Sequence, residues 1–96
     1  MKLTRMLKFK KAKVNEKFYG SNYWDMGSSY DYVPDGTIVR ELNKLCEKYN
    51  AEIIRITLRD VNKESVIKIK AHRKDFKNLV NDFMIYFIKW IYNVRY

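Results

Sequence analysis

Apolar and polar positions alternate along residues 3–14, LTRMLKFKKAKV. Leu3, Leu7 and Phe9 fall on one side of a period-two pattern and Lys8 and Lys10 on the other, the spacing of a strand. Met6 interrupts the alternation, and Arg5 shares the apolar side. Residues 35–49 change period. Ile38, Val39, Leu42, Leu45, Cys46 and Tyr49 form one stripe on a helix, with Arg40, Glu41, Asn43, Lys44, Glu47 and Lys48 on its other face. Pro34 and Asp35 mark its start, with Asp35 or Thr37 expected to cap, and Asn50 suits a left-handed stop.

Two further segments return to period two. In AEIIRITLR, Ile54, Ile56 and Leu58 are expected on one side and Arg55, Thr57 and Arg59 on the other. In SVIKIKAH, Ile67, Ile69 and Ala71 oppose Val66, Lys68, Lys70 and His72. The turn formers DVNKE between them predict a hairpin. Residues 73–95 then carry Phe76, Leu79, Val80, Phe83, Phe87, Trp90, Ile91 and Val94 at helical spacing, which predicts one long final helix. Asp75 near its start and Arg95 near its end suit the helix dipole.

The expected order is strand, helix, strand, strand, helix over a single domain, residues 1–96. This is an α+β two-layer sandwich, β-α-β-β-α, in which both helices cover one face of an antiparallel sheet. It amounts to a ferredoxin-like layout truncated by its last strand, with a long aromatic loop after the first strand. A winged helix, with the hairpin as wing, is the alternative. It needs two more helices before the wing, and residues 15–34 show no helical stripe.

Composition narrows the functional classes. The 96 residues are 47% hydrophobic, too apolar for a disordered chain. Twenty Lys and Arg against eleven Asp and Glu give a formal charge of +9. Residues 1–17 carry +6 and residues 51–74 carry +4, while residues 18–38 between them carry −3. Such a balance points to phosphate backbones, anionic lipid surfaces or acidic proteins as partners. No apolar run is long enough to span a bilayer, and no signal-peptide core follows the basic start, so a cytoplasmic location is expected. A lone Cys46 excludes an internal disulfide and any CxxC site.

Three surfaces stand out as candidates. If both helices cover one side of the sheet, Lys8, Lys10, Arg55, Arg59, Lys68 and Lys70 share the other, with Thr57 and His72 between them. Neighbouring residues on one face lie ~7 Å apart along a strand and ~5 Å apart across strands. Six cations on that lattice repel one another, and a row of phosphates relieves the repulsion. The strands offer no outward aromatics for base stacking, so contacts to the backbone should dominate, with little sequence preference. The second surface is the stretch NEKFYGSNYWDMGSSYDYVP. Its Phe18, Tyr19, Tyr23, Trp24, Tyr30 and Tyr32 make either a partner-binding loop or a cover for the basic face. The third is a second stripe on the last helix, Ile85, Ile88, Tyr92 and Tyr96, which a homodimer contact or a partner protein would bury.

Catalysis has little to work with. His72 is the only histidine, and Cys46 lies on the apolar stripe, where a small buried thiol is the ordinary explanation. Asp25, Asp31 and Asp35 lack His or Cys neighbours, and neither Gly20 nor Gly27 is followed by GK[ST]. No cofactor or metal is expected. A small metal-independent ribonuclease using Lys, Arg, Tyr and His72 is the minority enzymatic reading. The sequence therefore supports a basic, non-enzymatic protein that binds DNA or RNA in an accessory role. The alternative is a protein-binding inhibitor or adaptor acting on a nucleic-acid-handling complex. Phages and mobile elements encode compact regulators of this size, and the Lys, Asn, Ile and Tyr bias suits an AT-rich genome.

Overall fold

The computed structural model of the chain describes residues 1–13 and 33–96. Its elements are β1 (Leu3–Lys11), α1 (Asp35–Lys48), β2 (Glu52–Thr57), β3 (Glu64–Ala71), α2 (Arg73–Tyr86) and β4 (Ile91–Arg95). The strands form one sheet in the order β2-β3-β1-β4, with every neighbouring pair antiparallel. The chain is thus α+β, with a four-stranded antiparallel sheet and two helices. Among the described residues, no helix is long and apolar enough to cross a membrane.

The period-two pattern decides which face of the sheet is covered. Leu7 and Phe9 of β1 and Ile67, Ile69 and Ala71 of β3 are fully buried. They form one core with Ile38, Leu42 and Cys46 of α1 and Phe76, Leu79, Val80 and Phe83 of α2. Both helices therefore lie on the same side. Phe83 stands at the centre, its ring 5.3 Å from that of Phe9 and 4.9 Å from that of Phe87. The helices are also tied outside the core. Asp82 Oδ2 accepts hydrogen bonds from the Tyr49 hydroxyl (2.6 Å) and from Lys48 Nζ (3.2 Å).

Several expectations need correction. The last helix ends at Tyr86 rather than running to residue 95, and residues 91–95 pair with β1 as β4. The sheet is therefore not short of a strand. The physical reason is twofold. From Ile85 onward the chain is rich in β-branched and aromatic residues, which suit a strand as well as a helix. Without β4, moreover, the outer side of β1 would leave its N–H and C=O groups unpaired. Phe87 and Ile91 stay buried after the change of structure.

Ile54 is also misassigned by simple alternation. It is the extra residue of a bulge between Ile53 and Arg55, so Ile53 and Ile56 pack on the core while Ile54 is 47% exposed. Neither Asp35 nor Thr37 caps α1. Pro34 occupies the cap position without a side-chain bond, and the Asp35 carboxylate instead meets Lys11 Nζ at 2.5 Å. That partner explains how Lys11, which β1 points at the covered face, is buried. Asn50 does adopt the left-handed conformation after α1 (φ 54°). The two extra helices required by a winged-helix reading would fall in residues 15–34, most of which lie outside the described residues.

Candidate nucleic-acid interface

The cross-strand register builds the face opposite the helices. In β1 and β3, Thr4 stands opposite Lys70, Met6 opposite Lys68, Lys8 opposite Val66 and Lys10 opposite Glu64. On the other flank of β3, Glu52 of β2 stands opposite Lys70, Arg55 opposite Lys68 and Thr57 opposite Val66. These positions alternate with the buried set, so Lys8, Lys10, Arg55, Lys68 and Lys70 share one open face. The bulge at Ile54 puts Arg55 back in phase with Lys68, which plain alternation alone assigns to that side as well. Arg59 follows β2 and is exposed at one end of the same face, where it lines a concavity with Lys10.

The register also brings in residues that sequence reasoning missed. Arg95, assigned to a helix end by its spacing, stands opposite Lys8 in β4. Lys63, taken as a turn former, lines the concavity beside Arg59 and Lys10. The signal for Arg95 was the strand-like composition of residues 85–96; for Lys63 the sequence held none. Two carboxylates share the face, Glu52 and Glu64. Glu64 is ion-paired with Arg95 Nη2 across the intervening strand. Among the described residues, none of Lys8, Lys10, Arg55, Arg59, Lys68 and Lys70 forms a salt bridge. Like charges directly opposite, as in Arg55 and Lys68, oppose sheet formation unless something neutralises them.

The concavity occupies about 740 Å³ and is lined by Lys10, Thr57, Arg59, Lys63, Glu64 and Arg95, among others. Its wall is the connection between β2 and β3, held in place at several points. The Arg59 N–H donates to the hydroxyl of buried Ser65 (2.9 Å), and the Asn62 N–H donates to the Lys11 carbonyl (3.0 Å). The Tyr92 hydroxyl donates to Asn62 Oδ1 (2.9 Å), joining this connection to β4. Asn62 and Asn93 both take left-handed backbone conformations (φ 70° and 54°), the second at the irregular pairing of β4 with β1.

The other candidates are placed less compactly. Phe18, Tyr19, Tyr23, Trp24, Tyr30 and Tyr32 lie outside the described residues, as do Asp25 and Asp31. Ile85, Ile88, Tyr92 and Tyr96 do not form one helix face, because α2 ends before three of them. Ile85, Ile88 and Tyr92 nevertheless line a shallow apolar concavity of about 480 Å³ with Met84 and Val94. Tyr96 is separate, its ring 6.2 Å from that of Phe76.

The titratable groups outside the basic face have structural explanations. The hydrogen bond from Tyr49, then that from Lys48, holds the Asp82 carboxyl below its ordinary value. The same bond to Asp82 raises Tyr49, and Asp82 raises Lys48. Burial pushes the Cys46 thiol up to about 11, far from a reactive thiolate. His72 is exposed at the start of α2, with no side-chain capping bond. Among the described residues, no group of three or more His, Cys, Asp or Glu could hold a metal ion. Compared with known protein families, curated proteins and solved structures, the chain shows no match.

Proposed function

We propose that this chain is a non-enzymatic binding protein that engages nucleic acid through backbone phosphates on the open face of its sheet. The observation that carries the reading is the shared face of Lys8, Lys10, Arg55, Lys68 and Lys70, with Arg59 at its end, none of them in a salt bridge among the described residues. A protein that needed this face only for solubility would gain from mixing signs there; a polyanion uses the unbalanced charge directly. The strand order and the two helices on one side support reading the fold as a ferredoxin-like sandwich, a layout that leaves the opposite face open for such a partner.

Titration of a labelled duplex across salt tests the proposal. With about five cations engaged, log K falls against log salt with a slope of about −4 to −5, a loss of roughly 500-fold between about 50 and 200 mM. A slope near zero overturns it.

A second reading is favoured by a different observation. Ile85 and Ile88 are 70% and 71% exposed and share an apolar concavity with Tyr92. A partner protein or a second copy of the chain bound there would make the molecule an adaptor or inhibitor. Capture of a defined protein after nuclease treatment, abolished by Ile88→Asp, supports this reading. A clean monomer in sedimentation at high concentration removes the homodimer.

A further inference from the structure

The basic face is not uniform. Along β2 and β3 its cations are spread over the strand lattice, Arg55 opposite Lys68 with Lys70 two residues along. At the end near the β2–β3 connection, Lys10, Arg59, Lys63 and Arg95 surround one concavity, with Glu64 the sole carboxylate lining it among the described residues. Three fastened contacts shape that concavity: Arg59 on Ser65, Asn62 on Lys11 and Tyr92 on Asn62. Its wall is therefore positioned before any partner arrives, and positioned donors lose less on binding than mobile ones. Glu64 already holds an oxygen anion against Arg95 in this place.

An internal phosphodiester carries one negative charge. A terminal phosphomonoester carries about −1.5 to −2 near neutral pH, with more acceptor oxygens. Four cations around one carboxylate leave a local excess of charge that suits the second better than the first. Building on the nucleic-acid reading above, we infer that the concavity seats the terminal phosphate of a nucleic-acid strand, while Arg55, Lys68 and Lys70 follow the backbone behind it. The terminal group takes Arg95 from Glu64, and the Glu64 carboxylate is the competitor that keeps the seat occupied when no strand end is bound.

The experiment compares three labelled oligonucleotides of one sequence, ending in 5′-phosphate, 3′-phosphate or hydroxyls only. Binding is read by fluorescence anisotropy at fixed ionic strength. One phosphorylated end should bind about fivefold more tightly than the hydroxyl-ended strand, the worth of one good charge-assisted contact. In Lys63→Ala that preference shrinks while salt-sensitive binding of the hydroxyl-ended strand remains. Glu64→Gln, which removes the competitor, widens the preference. Equal affinity for all three strands overturns the terminal-phosphate seat and leaves the backbone reading standing. Binding of none of them overturns both.

Discussion

Lys68→Thr should make the protein more stable and bind nucleic acid less well, and the structure allows the first effect to be sized. Lys68 in β3 stands opposite Arg55, with Lys70 two residues along on the same face. At ~5 Å and ~7 Å in water, the two repulsions amount to about 0.8 and about 0.6 kcal/mol before screening. Screening leaves about 1 kcal/mol in total at about 20 mM salt and about 0.4 kcal/mol at about 500 mM. Side chains that splay apart, and the attraction of Glu52 opposite Lys70 on the same face, reduce both figures together. Threonine also suits a strand, and it retains no charge. In a chain of this size the low-salt gain corresponds to about 4–8 °C in Tm. Thermal melts of parent and variant at the two salt concentrations measure it. The gain should shrink by half or more at high salt, because lost packing of the lysine stem is the same in both. A variant whose difference from the parent is unchanged by salt, or which is destabilised at both, would refute the picture of an unrelieved charged face.

The remaining predictions concern the core and the tie between the helices. Phe83→Ala removes a ring packed between Phe9 and Phe87 and should cost about 3–5 kcal/mol, enough to show as a large drop in urea midpoint; Phe83→Leu should cost much less. Asp82→Asn should lower Tm near neutral pH. Because Asp82 is held below its ordinary value, the stability it supplies is present above the unfolded carboxylate pKa and is lost as pH falls through the folded one. The Tm gap between parent and variant therefore closes between about pH 5 and about pH 2, and a gap that stays constant would contradict the assignment. On the alkaline side, Lys48 and Tyr49 are both raised, so their contribution holds below the unfolded pKa values and is lost as pH rises through the folded ones. Cys46 should resist a thiol reagent at about pH 8 and react only as fast as the protein opens; rapid labelling of the native chain would show that the thiol is not buried.

How much of this was legible in the sequence varies strand by strand. β3 is the clearest case: Ile67, Ile69 and Ala71 point to the core and Lys68 and Lys70 away from it, as strict alternation requires. β1 alternates through its whole length, including at Met6, which lies on the open face opposite Lys68. Its one surprise is Lys11, whose inward position depends on Asp35, a partner from α1 that no local pattern reveals. In β2 the adjacent pair Ile53 and Ile54 fits either phase, and only the bulge chooses. The end of α2 was hidden because Phe87, Trp90, Ile91 and Val94 continue the helical stripe without a Gly or Pro to stop it. The warning was the apolar character of residues 85–92 on two sides at once, which a surface helix does not need. Of the candidate site, the six cations Lys8, Lys10, Arg55, Arg59, Lys68 and Lys70 follow from alternation alone. Arg95 and Lys63 join only through the fourth strand and the folded connection.

The irregular pairings at Ile54 and Asn93 fall on β2 and β4, the two outermost strands. Such kinks twist a rim out of the flat geometry that a newcomer's backbone would have to match. Growth of the sheet sideways, whether by fibre formation or by exchange of strands between molecules, is thereby discouraged at both borders. Any partner that adds a strand to this sheet has first to straighten one of these kinks, at a cost that contacts through side chains do not carry.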